Sequence, residues 1–335
     1  MQTRNLLFTG KALPQECKEK LESMGFNVIV EKPNLSEDEL IEALTDVSAH
    51  ILCGAEKFTA RVLQSASKLR IISFFGVGYD TYIDAKAATA NGIAVTNAPG
   101  ANAQSVAEFT ISLILDAVKQ TAYLTGLTKQ GIWQKDVSWD LKGRKLGIIG
   151  MGEVGVRLAR IAHLGFGMKV VYYSRTRKPD IEKETGANYL ELDELLKESD
   201  AVSLHTVETG LTKGMIGSEQ LELMKPHSIL VNTARASLVD LKALYEALVN
   251  DKIACAAFDC YYQEPAPKPE DDEFGLLQLS NSRFLLSPHA AFFSQDAALK
   301  TAEMAILNIS ALFEGKTPPN LVNPGYIENI KQAVS

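Results

Sequence analysis

Residues Lys145-Leu-Gly-Ile-Ile-Gly-Met-Gly-Glu-Val-Gly155 carry an apolar run straight into Gly150-x-Gly152-x-x-Gly155 and on into the helix-period pattern Val156 to Leu164. Glycine turns are common, but a strand before and a helix after make this one the fingerprint of a dinucleotide-binding βαβ unit. The first glycine permits the tight turn, the second lets a pyrophosphate approach the backbone, and the third lets helix and strand pack closely. Free N–H groups and a favourable dipole at the helix start then face the anion. Gly150, Met151, Gly152, Glu153, Val154 and Gly155 are therefore expected to hold a dinucleotide.

The residues that choose between dinucleotides lie roughly twenty positions on, where an Asp or Glu would bind the adenosine ribose of NAD. Here the strand Val170-Val-Tyr-Tyr173 is followed by Ser174-Arg175-Thr176-Arg177-Lys178, with no carboxylate. Cations and hydroxyls at a strand end suit a 2′-phosphate, so Ser174, Arg175 and Thr176 favour NADP over NAD. The plainer alternative is a solvated basic turn whose Arg175 stacks on adenine and tolerates either cofactor.

Outward from this loop, short apolar runs alternate with helix-period segments along all 335 residues, the pattern of βαβ units and parallel sheets. Strands are expected at Asn5–Thr9, Asn27–Val30, His50–Cys53, Ile71–Phe74 and Ala94–Thr96. A second series is expected at Lys145–Gly150, Lys169–Tyr173, Ala201–His205, Ser228–Asn232, Ala254–Phe258 and Arg283–Leu286. Ser105 to Lys119 reads as a helix crossing between two domains, and Ser294 to Phe313 as a helix returning to the first. The fold class is thus α/β, with domains at 1–98 plus 290–335 and at 99–289.

Composition narrows the function. The chain is 46% hydrophobic and 22% charged, with 34 Lys+Arg against 41 Asp+Glu for a net charge of -7. A field of that sign repels a phosphate backbone, so nucleic acid is not the expected partner. The longest apolar stretch, Val106 to Val118, contains Glu108 and Asp116 and is too short to span a bilayer. The amino terminus, Met1 to Gly10, has too short an apolar core for a signal peptide and is expected to be a first strand leading into a turn. Cys17, Cys53, Cys255 and Cys260 form no C-x-x-C pair, and a cytoplasmic protein without a metal site is expected.

Three strand ends supply groups for chemistry. Leu285-Leu-Ser-Pro-His289 places an imidazole where doubly wound sheets bind ligands, and imidazole exchanges protons near neutral pH. Val231-Asn-Thr-Ala-Arg235 places a guanidinium just past another strand, and Ala257-Phe-Asp259-Cys-Tyr-Tyr-Gln-Glu264-Pro265 adds two carboxylates past the next one. Each alone has a bland reading: surface ion pair, turn acid, structural histidine. His50, His163 and His227 are read as structural.

These blocks, with Gly76-Val-Gly-Tyr-Asp80, Val106-Ala-Glu108, Asn232-x-x-Arg235-x-x-x-Val239-Asp240 and Pro288-His289, resemble the D-isomer-specific 2-hydroxyacid dehydrogenase family over nearly the whole chain. The resemblance implies a doubly wound Rossmann domain, a discontinuous flavodoxin-like substrate domain, and a homodimer. It implies that Arg235 binds the substrate carboxylate and polarises the carbonyl, while the Gly76, Val77 and Gly78 N–H groups bind the carboxylate's other face. His289 would be the acid in reduction, with Glu264 raising the imidazolium pKa. Asp259 would lie near the nicotinamide, and His205, Thr206 and Thr233 would complete the cofactor contacts. His205 is the reserve acid. Departures from the family pattern are Ala236 where glycine is usual, Thr206-Val207 where a proline often follows, and Phe109 where many members carry histidine.

For substrate, Phe74 and Phe75 bring no cation to a phosphate, and Lys57 is the one obvious candidate nearby. A small 2-keto acid of the glyoxylate or hydroxypyruvate class is therefore preferred to 3-phosphoglycerate. A dinucleotide-sensing corepressor is the alternative from another functional class.

Overall fold

The structure is a computed structural model that describes residues 4–11 and 13–326. The chain divides into two compact units: one runs to Asn102 and resumes at Phe293, and the other spans Ala103–Phe292. The ends of the expected first domain, 1–3 and 327–335, lie outside the described residues.

The first unit contains β1 (Arg4–Thr9), β2 (Phe26–Glu31), β3 (Ala49–Leu52), β4 (Ile71–Phe74) and β5 (Ala94–Thr96). They form a wholly parallel sheet in the order β2-β1-β3-β4-β5, the flavodoxin-like winding. β3 reads Ala-His-Ile-Leu and is buried throughout, as a central strand covered on both faces must be. Helix Gln295–Phe313, capped by the Ser294 hydroxyl, lays Ala302, Ala305, Ile306 and Ile309 on this sheet.

The second unit contains β6 (Lys145–Ile149), β7 (Lys169–Tyr173), β8 (Asn188–Tyr189), β9 (Ala201–Leu204), β10 (Ile229–Asn232), β11 (Cys255–Phe258) and β12 (Phe284–Leu286). Their order is β12-β11-β10-β9-β6-β7-β8, all parallel. That is the Rossmann winding with one further strand, and its order reverses between β6 and β9. The two-residue β8 extends the six expected strands to seven. It is too short for a periodic signal, and Tyr189 secures it by an edge contact to buried Tyr172, ring centres 5.6 Å apart.

Helix Ala103–Lys119 does not cross between units as expected. It lies within the second, where Ala107, Ile114 and Ala117 join the core over β10 and β11. Phe75, expected beside a substrate, is also a core residue, set against Phe8 with ring centres 6.1 Å apart. Among the described residues no helix is long and apolar enough to cross a membrane.

Candidate active site

The glycine loop begins where β6 ends. Gly150 has φ +102°, and a Cβ there would sit 2.5 Å from the His205 carbonyl oxygen at the end of β9. A Cβ on Gly155 would come within 2.3 Å of the Gly150 oxygen, whereas one on Gly152 would meet nothing within 4 Å. The chain itself therefore requires glycine at 150 and 155, and at 152 glycine keeps clear the space above the loop. Helix Glu153–Arg160 starts at Gly152 without a side-chain cap. Its first N–H groups, at Glu153 and Val154, have no acceptor among the described residues. This cradle fits a pyrophosphate. The side chain of Met151 is buried in the core, so only its backbone can serve a dinucleotide, and Glu153 is paired with Arg157 at 2.6 Å.

At the end of β7 the basic cluster splits. Arg177 makes a two-point pair with Glu182, at 3.1 and 2.8 Å, and lies over the Tyr189 ring. Glu182 also accepts the Tyr172 hydroxyl at 2.6 Å. Arg177 is therefore structural and unavailable to a phosphate. Arg175 is exposed and has no side-chain partner among the described residues, with Ser174 half-buried and Thr176 exposed beside it. At the end of β9, His205 Nε2 is bonded to the Ser203 hydroxyl at 2.8 Å, and burial pushes its pKa down to about 3. A neutral imidazole turned onto its own strand is a poor reserve acid. Thr206 is half-buried next to the Gly150 turn.

The β10 turn is held from within. Buried Asn232 donates through Nδ2 to the Arg235 carbonyl at 2.8 Å and accepts the Ala234 N–H at 3.0 Å. The Thr233 hydroxyl bonds to Thr110 at 2.9 Å, and Arg235 Nη1 donates to the Ala234 carbonyl at 2.7 Å. Past β11, Glu264 accepts the Tyr261 N–H on Oε1 at 3.2 Å, and His289 Nδ1 lies 2.9 Å from Oε2. Partial burial pushes the Glu264 carboxyl up. The His289 hydrogen bond and charge, the Tyr261 N–H and the Arg235 guanidinium outweigh it and leave the pKa below the usual carboxylate value. An ionised Glu264 must accept from Nδ1–H, which turns Nε2 away from the carboxylate. Arg235, Glu264 and His289 are thus drawn together within the second unit.

Asp259, expected near the nicotinamide, packs beneath the His289 turn. It is 2% exposed and spends both oxygens on Ser287, Ala290 and Ala291 around His289. Neither this cage nor the Tyr261 N–H on Glu264 is visible in residue types, because backbone donors leave no mark on a sequence.

In the first unit, the N–H groups of Gly76, Val77 and Gly78 have no acceptor among the described residues, while the Gly76 carbonyl accepts Ala98 N–H at 2.8 Å and the Val77 carbonyl accepts Asn97 Nδ2 at 3.1 Å. Successive unpaired N–H groups of this kind suit a carboxylate. Nearby, Lys57 donates to the Thr81 carbonyl at 2.7 Å and lies 4.6 Å over the Tyr82 ring, which stacks on Phe74.

Residues 111–291 match the model of the D-isomer specific 2-hydroxyacid dehydrogenase NAD binding domain. A glyoxylate reductase of Korarchaeum cryptofilum is 40% identical over 326 residues, covering 95% of each chain. Among solved structures, a protein from Thermus thermophilus aligns with TM-score 0.85 at 34% identity, covering 95% of this chain and 99% of its own. A glyoxylate reductase from Paecilomyes thermophila aligns with TM-score 0.81 at 29% identity, covering 96% and 99%.

Proposed function

The chain belongs to the D-isomer-specific 2-hydroxyacid dehydrogenase family, and from that premise we propose that it reduces glyoxylate or hydroxypyruvate to the D-2-hydroxy acid, with His289 as the proton donor. It is an NAD(P)-dependent oxidoreductase of 2-keto acids. The observation that carries the finer reading is the 2.9 Å contact between His289 and Glu264 with the Arg235 charge beside it.

The Gly150–Gly155 loop would hold a reduced nicotinamide dinucleotide, whose chemistry when bound would be hydride donation to the carbonyl carbon. Negative charge then builds on the carbonyl oxygen, and Arg235 stabilises it electrostatically. His289 gives that oxygen the proton on Nε2, completing the hydroxyl, and Glu264 keeps Nδ1–H in place while the imidazole passes from cation to neutral ring. Arg235 also pairs with the substrate carboxylate. Asn232 keeps the Arg235 turn in shape.

Lys57 supports the small substrates over a phosphorylated one, because its ammonium is already engaged by Thr81 and Tyr82. For the cofactor, the free Arg175 supports NADP. A homodimer belongs to the same proposal: no residue from 121 to 140 is buried, and Trp133 and Val137 are 83% and 101% exposed.

The test is steady-state oxidation of NADPH and NADH with glyoxylate, hydroxypyruvate, pyruvate and 3-phosphohydroxypyruvate. Fastest turnover of the first two with NADPH is expected. Tight dinucleotide binding without turnover of any keto acid would replace the enzyme with a sensor.

A further inference from the structure

His289 has φ +53°, a left-handed conformation that is uncommon and strained for residues other than glycine. Two side chains outside the turn are placed to hold it. The Asp259 carboxylate accepts the Ser287 hydroxyl at 2.5 Å and the Ala290 N–H at 2.9 Å on Oδ1, and the Ala291 N–H at 2.7 Å on Oδ2. It grips the residues before and after His289 but not His289 itself. Ser105, in the first turn of helix Ala103–Lys119, donates to the Ala291 carbonyl at 2.7 Å. Buried Ala291 is thus held at both its N–H and its carbonyl.

Each anchor is fixed in turn. The Asp259 N–H donates to the Asn232 carbonyl at 2.9 Å, and the Ser105 helix packs on β10 and β11. Because the Asn232 side chain also shapes the Arg235 turn, one buried relay joins the guanidinium to the imidazole. We propose that Asp259 and Ser105 are positioning residues that clamp the Ser287–Ala291 turn and so hold the His289 ring against Glu264. This rests on His289 being the proton donor of the reaction.

Ser105→Ala, Ser105→Thr and Asp259→Asn are to be compared with the unaltered enzyme. The readouts are kcat, KM for glyoxylate, the Kd for NADPH, and hydrogen exchange at the Ala290 and Ala291 amides. Ser105→Ala is expected to lower kcat about five- to tenfold, the scale of one lost hydrogen bond at a site where placement matters. Its Kd for NADPH should be unchanged and exchange at Ala291 faster, with Ser105→Thr recovering both kcat and exchange. Asp259→Asn, which keeps one acceptor oxygen and turns amide hydrogens toward the donors of the other, should speed exchange at one of the two positions. Unaltered kcat together with unaltered exchange in Ser105→Ala overturns the clamp. Loss of NADPH affinity in step with kcat in Asp259→Asn, without faster exchange, returns that residue to the cofactor site. Exchange does not depend on turnover, so if no keto acid were reduced, the activity would fall while the amide rates still decided the clamp.

Discussion

Gly152 and Gly155 stand three residues apart in one motif and answer to different constraints. A Cβ at 152 enters open space, while a Cβ at 155 strikes the Gly150 carbonyl oxygen. Gly155→Ala should therefore cost about 1–3 kcal/mol of stability through overpacking, seen as a lower denaturation midpoint. Gly152→Ala should unfold like the unaltered protein and lose affinity for NADPH in a fluorescence titration. Equal destabilisation by both changes would contradict this division. Arg175 would make one charge-assisted contact to a 2′-phosphate. Arg175→Ala should weaken NADPH binding about tenfold or more, the scale of a hydrogen bond to a charged group, and leave NADH nearly untouched. Equal loss for both removes the phosphate argument.

Among the elements, the starts of the central strands of the second sheet, at the end opposite the glycine loop, are held by Asp200. Its carboxylate accepts the Lys145 N–H at 2.8 Å, Lys225 Nζ at 2.9 Å and His227 Nε2 at 3.1 Å. Burial pushes its pKa up, but these donors and the Lys225 charge prevail and bring it down to about 2 from 3.8. A carboxyl whose folded pKa is depressed stabilises the fold above its unfolded value, and the contribution fades as pH falls through the folded one. Asp200→Asn should cost about 1–3 kcal/mol at pH 7, with the deficit shrinking between pH 3.8 and 2. A deficit independent of pH would contradict the charge argument.

At this scale the strands were legible because continuous apolar runs bounded by turns mark buried parallel strands. The partner of a helix was not. Val106, Leu113 and Ala117 announce a buried face on helix Ala103–Lys119, but periodicity does not say which sheet receives it. Likewise Phe74 and Phe75 look equivalent in sequence, yet adjacent side chains at the end of β4 point oppositely. Phe75 enters the core, while half-buried Phe74 stacks on Tyr82. Arg235, Glu264 and His289 stood out because charged and titratable groups follow apolar strands. The hydrogen bonds that shape their turns involve main-chain partners and stayed hidden.

For the whole molecule, the -7 charge repels small anions at long range, so an anionic keto acid must be held by local cationic and N–H groups. The exposed 121–140 segment is the place where a second copy is expected. Trp133→Asp with Val137→Asp should shift the sedimenting mass from a dimer of the 36.5 kDa chain to a monomer. A monomer before substitution would contradict the dimer proposal.

The central claim, that His289 completes hydride transfer by protonating the substrate oxygen, is tested most directly by single-turnover NADPH oxidation on mixing with glyoxylate, comparing the unaltered enzyme with His289→Ala. A rate lower by about 10²- to 10⁴-fold at unchanged NADPH affinity is expected. An unaltered single-turnover rate would contradict it.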